Sequence, residues 1–478
     1  MGAIPTRRDF LWQLGGGLGG IALAQLIGRH GLLAQESAAP SLADLNGGLH
    51  HRAKVKRIVQ LFMNGGMSPV DTFDYKPELE KRHGQKFDPG QHVESVTGSH
   101  DGFPILKSPF SWKQHGESGR WVSSVFPKLA TRVDDLAFLM SMTSKTNVHG
   151  PGSYLMNTGF TLPGFPCMGA WITYALGASS DDLPSFVVLP DPRGLPYNNL
   201  GNFGAGFLPV ANQGIVIQAT RKTPIHDLEP APAATPITRQ GEAELRALLA
   251  KMDRAYAAQD EGDTRLDARI ASYELAARMQ LSVPELFDLK GESAATRALY
   301  GLDEKVSEEF GTRCLLARRM LERGVRFVQV WSGPAGAKGN WDNHADVSTE
   351  LPAIASTVDA PIAGLLADLK ARGMFDDTLV IFSTEFGRQP FSQQTAGRDH
   401  NGGTFVGWIA GAGVRAGAAY GESDEWGWKS RVPTWCYDLH ATVLHLLGID
   451  HTRLTFRHNG SNRRLTDVHG QVIPALLA

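Results

Sequence analysis

The sequence predicts an α/β domain built on a mostly parallel sheet with helices on both faces. Three observations carry that expectation: short apolar, β-branched runs alternate with longer helical patterns, the helices stop at glycines that lead into the next run, and polar residues gather just after the runs. In chain order the strands are expected at Ile58 to Met63, Leu136 to Met142, Phe186 to Leu189, Val325 to Trp331, Leu379 to Ser383 and Phe405 to Ala410. Glu309 to Arg323 sets Phe310, Cys314, Leu315, Met320 and Leu321 among basic residues and ends at Gly324, as a helix C-terminus should. Ser348 to Arg372 repeats the pattern, stops at Gly373 and feeds the fifth strand after Asp376-Asp377. Gly241 to Leu289 has helical composition, with Glu242, Leu245, Leu248, Leu249 and Met252 on one face, and is expected as a helical insertion near 240–290 packed on the sheet. The Pro/Ala/Thr-rich stretch Glu229 to Thr238 reads as a loop, and Lys81 to Gly119 and Pro192 to Gly214 read as polar surface excursions.

The start of the chain is set apart from this domain. Thr6-Arg7-Arg8-Asp9-Phe10-Leu11 precedes an uncharged, Gly-rich apolar run from Leu14 to Ile27, the pattern of a twin-arginine export signal over residues 1–40. That run is too short and too Gly-rich for a spanning helix, so no membrane span is expected after signal removal, and the destination is periplasmic or cell-surface. Residues 50–478 then make one large domain. With 47 basic and 49 acidic residues the formal net charge is −2, which gives no reason to expect nucleic acid as a partner. Cys167, Cys314 and Cys436 are far apart and form no C-x-x-C pair, so buried thiols are expected rather than a disulfide framework or a zinc ribbon.

Ligands of open α/β sheets bind beyond the carboxyl ends of the strands, which makes the residues after each strand the candidates for chemistry. Asn64-Gly65-Gly66 follows the first strand, the His149 segment the second, Asn340-Trp341-Asp342-Asn343-His344 the fourth and Thr384-Glu385-Phe386-Gly387-Arg388 the fifth. Arg398-Asp399-His400-Asn401-Gly402-Gly403 leads into the sixth. Such oxygen and imidazole donors suit a hard or borderline divalent ion. Asp71 and Asp74 read as turn and cap residues, while His440 and His445 sit in an apolar helical run and read as structural.

From Arg57 to Ala478 the chain resembles domain-of-unknown-function family 1501, a sulfatase-like branch of the alkaline phosphatase superfamily. The strings that carry the resemblance are QLFMNGGMSPVDTFDYKPEL, HGPGSYLMNTG, STEFGRQP, GRDHNGG and DLHATVLHLLGIDHTRLTFRHNGSNRRLTDVHG. The resemblance implies an alkaline phosphatase/sulfatase-like three-layer sandwich with one or two metal sites. The HGPGSYLMNTG string is similar to the sulfatase signature C-x-P-x-R, with Pro151, Thr158 and Gly159 in place, His149 where the formylglycine-forming Cys stands and Ser153 where the Arg stands. Asn64 takes the place of the first strand's Asp, and Glu385-Phe386 that of an Asp-His pair. Asp342, His344 and His400 resemble the ligands of the other metal site.

The ligand set expected on that basis is Asn64, Asp342, His344, Glu385 and His400 around zinc, manganese or calcium. His149 either ligates the metal or attacks directly, and otherwise hydroxide on the metal attacks with Glu385 as its base. Arg388 and Arg398 are expected to clamp an anionic group, with Gly65, Gly66, Gly402 and Gly403 admitting it close to backbone. The function implied is an exported, metal-dependent hydrolase of phosphate or sulfate esters lacking formylglycine, acting on an anionic small molecule or polysaccharide. The alternative is a non-catalytic, degenerate sulfatase-like protein that binds sulfated or phosphorylated polysaccharide or serves in a surface complex.

Overall fold

The unbroken apolar run after Arg57 is buried from Ile58 to Met63, as a strand covered on both faces requires. In the computed structural model, which describes residues 49–88, 103–180, 182–219, 285–393 and 396–478 with scattered positions between 241 and 252, this strand lies inside an eight-stranded sheet. The strands are β1 (Arg57–Met63), β2 (Leu136–Met142), β3 (Phe186–Leu189), β4 (Ile215–Val216), β5 (Phe327–Ser332), β6 (Thr378–Ser383), β7 (Phe405–Gly411) and β8 (Ala419–Tyr420). Their order is β8-β2-β7-β6-β1-β5-β3-β4. β7 runs antiparallel to both of its neighbours and all other pairs in this sheet are parallel.

Helices cover both faces, which makes the architecture a three-layer sandwich. α3 (Glu308–Glu322) and α4 (Val347–Ala371) bring Leu315, Leu321, Leu351 and Ile362 against Val59, Leu61 and Val380. On the other face α2 (Met168–Leu176) and α5 (Cys436–Leu446) set Trp171, Leu439 and Val443 against Ile58, Phe62 and Ile381. The period-two alternation of β1 thus supplies both layers at once. α1 (His149–Thr158) is seated on the sheet through polar groups: Gln329 of β5 donates to Gln60 Oε1 at 3.0 Å and to Asn157 Oδ1 at 2.7 Å. A buried amide chain of this kind fixes one register for α1, because a slip would strand its donors without water.

Several expectations are corrected in detail. Val325 and Arg326 precede β5, because the Val325 N–H still bonds back to Met320 O at the end of α3. α3 and α4 each begin one residue before the expected start. Two-residue β4 and β8 are too short to leave an alternating pattern in sequence. Pro192 to Gly214 is no mere surface excursion: Asn202 and Phe203 are buried, and Ser153 of α1 donates to Asn202 Oδ1 at 2.6 Å. The expected signal at 1–40 and the loop Glu229 to Thr238 lie outside the described residues, as does most of the helical insertion, within which Leu248 and Met252 are exposed. The three cysteines are free and buried, as expected. Among the described residues no helix is long and apolar enough to cross a membrane.

His440 joins α5 to α1 by donating from Nε2 to the Met156 carbonyl at 2.9 Å, and burial pushes its pKa down to about 4. The unfolded chain takes up the proton below about 6.5 and the folded chain resists it, so stability is full above that pH and falls as pH drops toward 4. Chemical denaturation at pH 7 and pH 4.5 should show His440→Gln losing roughly 1–3 kcal/mol less on acidification than the parent chain. Equal acid losses for both would remove His440 as the cause.

Candidate metal centre

Five segments meet at the carboxyl edge of the sheet. β1 delivers Asn64 and Gly65, β2 leads to His149 at the start of α1, β5 to the Asp342 loop and β6 to Glu385, while Gly387–Arg388 pairs with His400–Asn401 in a short antiparallel ribbon. Gly65 is essential to this approach. At φ +122° an added Cβ would lie 2.7 Å from the backbone nitrogens of Trp341 and Asp342.

His149, Asp342, His344 and His400 converge, with one ligand atom from each inside 4.8 Å of all the others. Asp342 Oδ1 is the hub. His344 Nε2 lies 2.7 Å from it, His400 Nε2 3.1 Å and His149 Nε2 3.3 Å, the last without the alignment of a hydrogen bond. Each imidazole is tied off on its far side. His149 Nδ1 donates to Glu385 Oε1 at 2.6 Å, His400 Nδ1 to the Asn147 carbonyl at 2.7 Å, and His344 Nδ1 bonds Gln393 Oε1. Those acceptors select the tautomers that leave all three Nε2 lone pairs pointing inward, the arrangement of metal-ligating histidines.

Electrostatics agree with a cation site. Burial would raise the Asp342 pKa, but Arg388 and the three imidazoles hold it far below the usual carboxylate range. His400 is pushed down to about 4, first by burial and then by Arg388, so it is a neutral donor at physiological pH. Burial opposes a charge on His149, yet the Asp342 carboxylate beside it and its bond to Glu385 raise its pKa on balance. The telling distance is 2.9 Å between His344 Nε2 and His400 Nε2. With their protons on the opposite ring atoms the two lone pairs repel at that range; the Arg388 guanidinium, with Nη1 3.5 Å from His344 Nε2, relieves part of this, and a divalent ion between the rings would relieve the rest.

The remaining expected site residues stand elsewhere. Glu385 is fully buried behind His149, where it accepts from the Gly65 N–H and from His149; it orients His149 and is not among the four converging groups. Asn64 donates to the carbonyls of Gly333 and Pro334 and so ties β1 to the ligand loop, with its Oδ1 buried and without a partner. Arg388 is no free anion clamp. Its guanidinium donates to the carbonyls of Gly65, Gly66 and Arg398 and to Asp342 Oδ1, the last at 2.5 Å. Arg398 is further removed, closed in two bonds of 2.6 and 3.0 Å on Asp71, which is therefore an ion-pair partner and not a turn residue alone. Gly65 serves close packing of the loop, not an anion. Sequence reasoning missed Gln393, the Asn147 carbonyl and Tyr197, whose ring stacks on His149 at 4.5 Å. None carries a spacing signal: any residue type supplies a carbonyl, and Gln393 and Tyr197 meet the histidines only through the tertiary fold.

A three-layer α/β sandwich with a His/Asp cluster at the carboxyl edge of its sheet is the class of protein defined here. Residues 55–477 match the family described as "Protein of unknown function (DUF1501)", and the chain belongs to it. None of the curated protein sequences matches the chain. Among solved structures, it aligns with the lipoteichoic acid synthase LtaP from Listeria monocytogenes at 11% identity and a TM-score of 0.35, covering 85% of this chain and 77% of that one. The PsFucS1 sulfatase from Pseudoalteromonas sp. gives 12% identity and a TM-score of 0.31 over 96% of this chain and 78% of that one. The phosphonate monoester hydrolase SpPMH from Silicibacter pomeroyi gives 15% identity and 0.28 over 68% of each. Likeness at these scores is loose, and nothing about activity follows from it.

The roles of the outer residues separate by experiment. Gln393→Ala frees His344 from its anchor and should weaken divalent-ion binding by about 10- to 100-fold in a competitive chelator titration, with little loss of thermal stability. Arg398→Met should do the reverse, leaving Asp71 as an unpaired buried charge and costing on the order of 3–5 kcal/mol in denaturant unfolding.

Proposed function

We propose that the protein is an exported, metal-dependent hydrolase of phosphate or sulfate esters that works without a formylglycine nucleophile. The observation that carries this reading is the convergence of three Nε2 lone pairs on Asp342 Oδ1, each imidazole held by a separate acceptor behind it. His149, His344, His400 and Asp342 would hold the ion. Zinc, manganese and calcium all accept donors of this kind in part, and the three imidazoles favour zinc or manganese over calcium. When bound, the ion supplies Lewis-acid polarisation of an ester oxygen and acidifies water.

The chain's own residues would then do three things. Glu385 holds His149 in the ligating tautomer through its short bond to Nδ1. Tyr197 and Phe386, whose rings lie 4.5 and 4.8 Å from that of His149, exclude water from its faces. His344, with its side chain 31% exposed against 7–9% for His400 and His149, marks the side on which solvent and substrate would enter. Export by the twin-arginine route, which carries folded proteins, would let the ion be loaded before the chain leaves the cytoplasm.

A second reading is a non-catalytic protein that binds a sulfated or phosphorylated polysaccharide at the same edge. It is favoured by one observation: Arg388 and Arg398 spend their guanidinium donors on backbone and carboxylates, so neither is free to stabilise charge on a reacting group. Plasma mass spectrometry of the purified protein, with p-nitrophenyl phosphate and p-nitrophenyl sulfate as probes, decides between the two. The hydrolase reading expects about one equivalent of divalent ion per chain, lost in His400→Ala and Asp342→Ala together with ester cleavage. A metal-loaded protein that cleaves neither ester supports the second reading. Failure to take up zinc, manganese or calcium on reconstitution removes the first.

A further inference from the structure

A second recess adjoins the cluster on the far side of His400. Ser144, Lys145, Thr146 and Asn147 form one wall and Asn401 and Lys429 help form the other, around a cleft of about 390 Å³, within the range of small-molecule sites. Its lining is hydroxyl, amide and backbone with the Trp428 indole, and the charged side chains in it are both lysines. The two ammonium groups come from distant segments and each is set against an aromatic group: Lys145 Nζ lies 3.0 Å from the Tyr437 hydroxyl, and Lys429 Nζ lies 4.3 Å from the Trp428 ring centre. The floor is pre-formed. Thr143 Oγ1 and the Ser144 N–H both donate to the Gly402 carbonyl, and the Gly402 N–H donates to Asn147 Oδ1.

The cleft and the cluster share a wall, because the Asn147 carbonyl that faces His400 Nδ1 at 2.7 Å belongs to the same residue that lines the cleft. We propose that this cleft is a subsite for a carbohydrate unit bearing a negative group, held by hydroxyl and amide hydrogen bonds and by Lys145 and Lys429. It would receive the part of an anionic sugar substrate that lies beyond the bond at the metal centre. Walls made mostly of hydroxyl, amide and backbone groups, with the Trp428 indole as a flat face for a sugar ring, disfavour a lipid chain, and two lysines without an acid among the lining residues select against a cationic ligand. The inference names the substrate class for the function proposed above and in that respect rests on it, although the cleft itself needs no ion.

Isothermal titration of the full-length protein, once stripped of metal and once reconstituted, tests this with monosulfated chondroitin and carrageenan disaccharides, their unsulfated counterparts and inorganic sulfate. The expected result is at least tenfold tighter binding of a sulfated disaccharide than of either comparison. The charge reversal Lys145→Glu with Lys429→Glu should abolish that preference while leaving metal content and melting temperature unchanged, and Lys145→Arg with Lys429→Arg should restore most of it. Equal binding by parent and reversed chains, or no preference for the sulfated disaccharides by folded protein in either metal state, overturns the proposal. Preference that survives in a protein that takes up no metal sustains the subsite and sinks the hydrolase, whereas ester cleavage with a KM for sulfated sugar unmoved by charge reversal does the opposite.

Discussion

One buried cation holds the functional edge together. The Arg388 side chain has no exposed surface, and its guanidinium reaches the backbone after β1, the start of the second half of the ribbon and the carboxylate of Asp342. A charge in that position is tolerated only when its donors are satisfied, so the segments from β1, β5 and the ribbon must close around it. Lysine would not substitute: a point charge with three donors on a flexible stem lacks the flat fork that spans several acceptors in fixed directions. Asp342 is therefore placed before any ion arrives, which spares the site the ordering cost of assembling ligands from loops. The same guanidinium disfavours a second positive charge beside it, and two carboxylates offset this. Asp342 faces the cluster directly, and Glu385 acts from behind through His149.

The outer brace is Arg398 with Asp71. Both side chains are fully buried, and the backbone N–H of Arg398 donates to the Asn343 carbonyl between the two ligands of that loop. Because the pair fixes the chain between Asp342 and His344, it bears on the geometry of the candidate ligands without touching them. This explains how two arginines so near the ligands in sequence have no part in holding an anion. Each is committed to architecture, whereas Lys145 and Lys429 line the neighbouring cleft.

The strands were legible because a parallel sheet buried on both faces demands unbroken apolar runs, and Ile58 to Met63, Leu136 to Met142 and Phe186 to Leu189 are such runs. β4 and β8 were not, since two paired residues leave no periodicity to read. That His149, Asp342, His344 and His400 converge was legible from their places after separate strands and from the family resemblance, because topology rather than local spacing brings such side chains together. The outer residues were opaque for a definite reason. Whether an arginine beside ligands turns toward a substrate or toward carbonyls depends on where five separate loops leave unsatisfied oxygens, and that is a property of the assembled edge. Gln393 is hidden in the same way: an amide that orients His344 from 49 positions away has no signature in the chain.

The position of His149 at the start of α1 bears on what kind of catalysis the proposed hydrolase would support. At the start of a ten-residue helix, a side chain lies in a field that favours negative charge, which suits an anionic nucleophile and disfavours an imidazolium. Under the proposed reading His149 would escape that penalty by serving as a neutral ligand, with Glu385 beneath it to hold the proton on Nδ1. In that role it would give up attack, because its inward lone pair would be committed to the ion. The three cysteines are buried away from solvent and Ser153 is bonded to Asn202, so neither they nor Ser153 takes that role over. An ester split at this site would thus be attacked by water entering past His344, the most exposed ligand side chain, and the reaction would leave no covalent adduct on the protein. Chemistry of that type asks the site for a fixed ligand geometry and an approach for solvent, and the bonds behind the three imidazoles secure the first while leaving the second open.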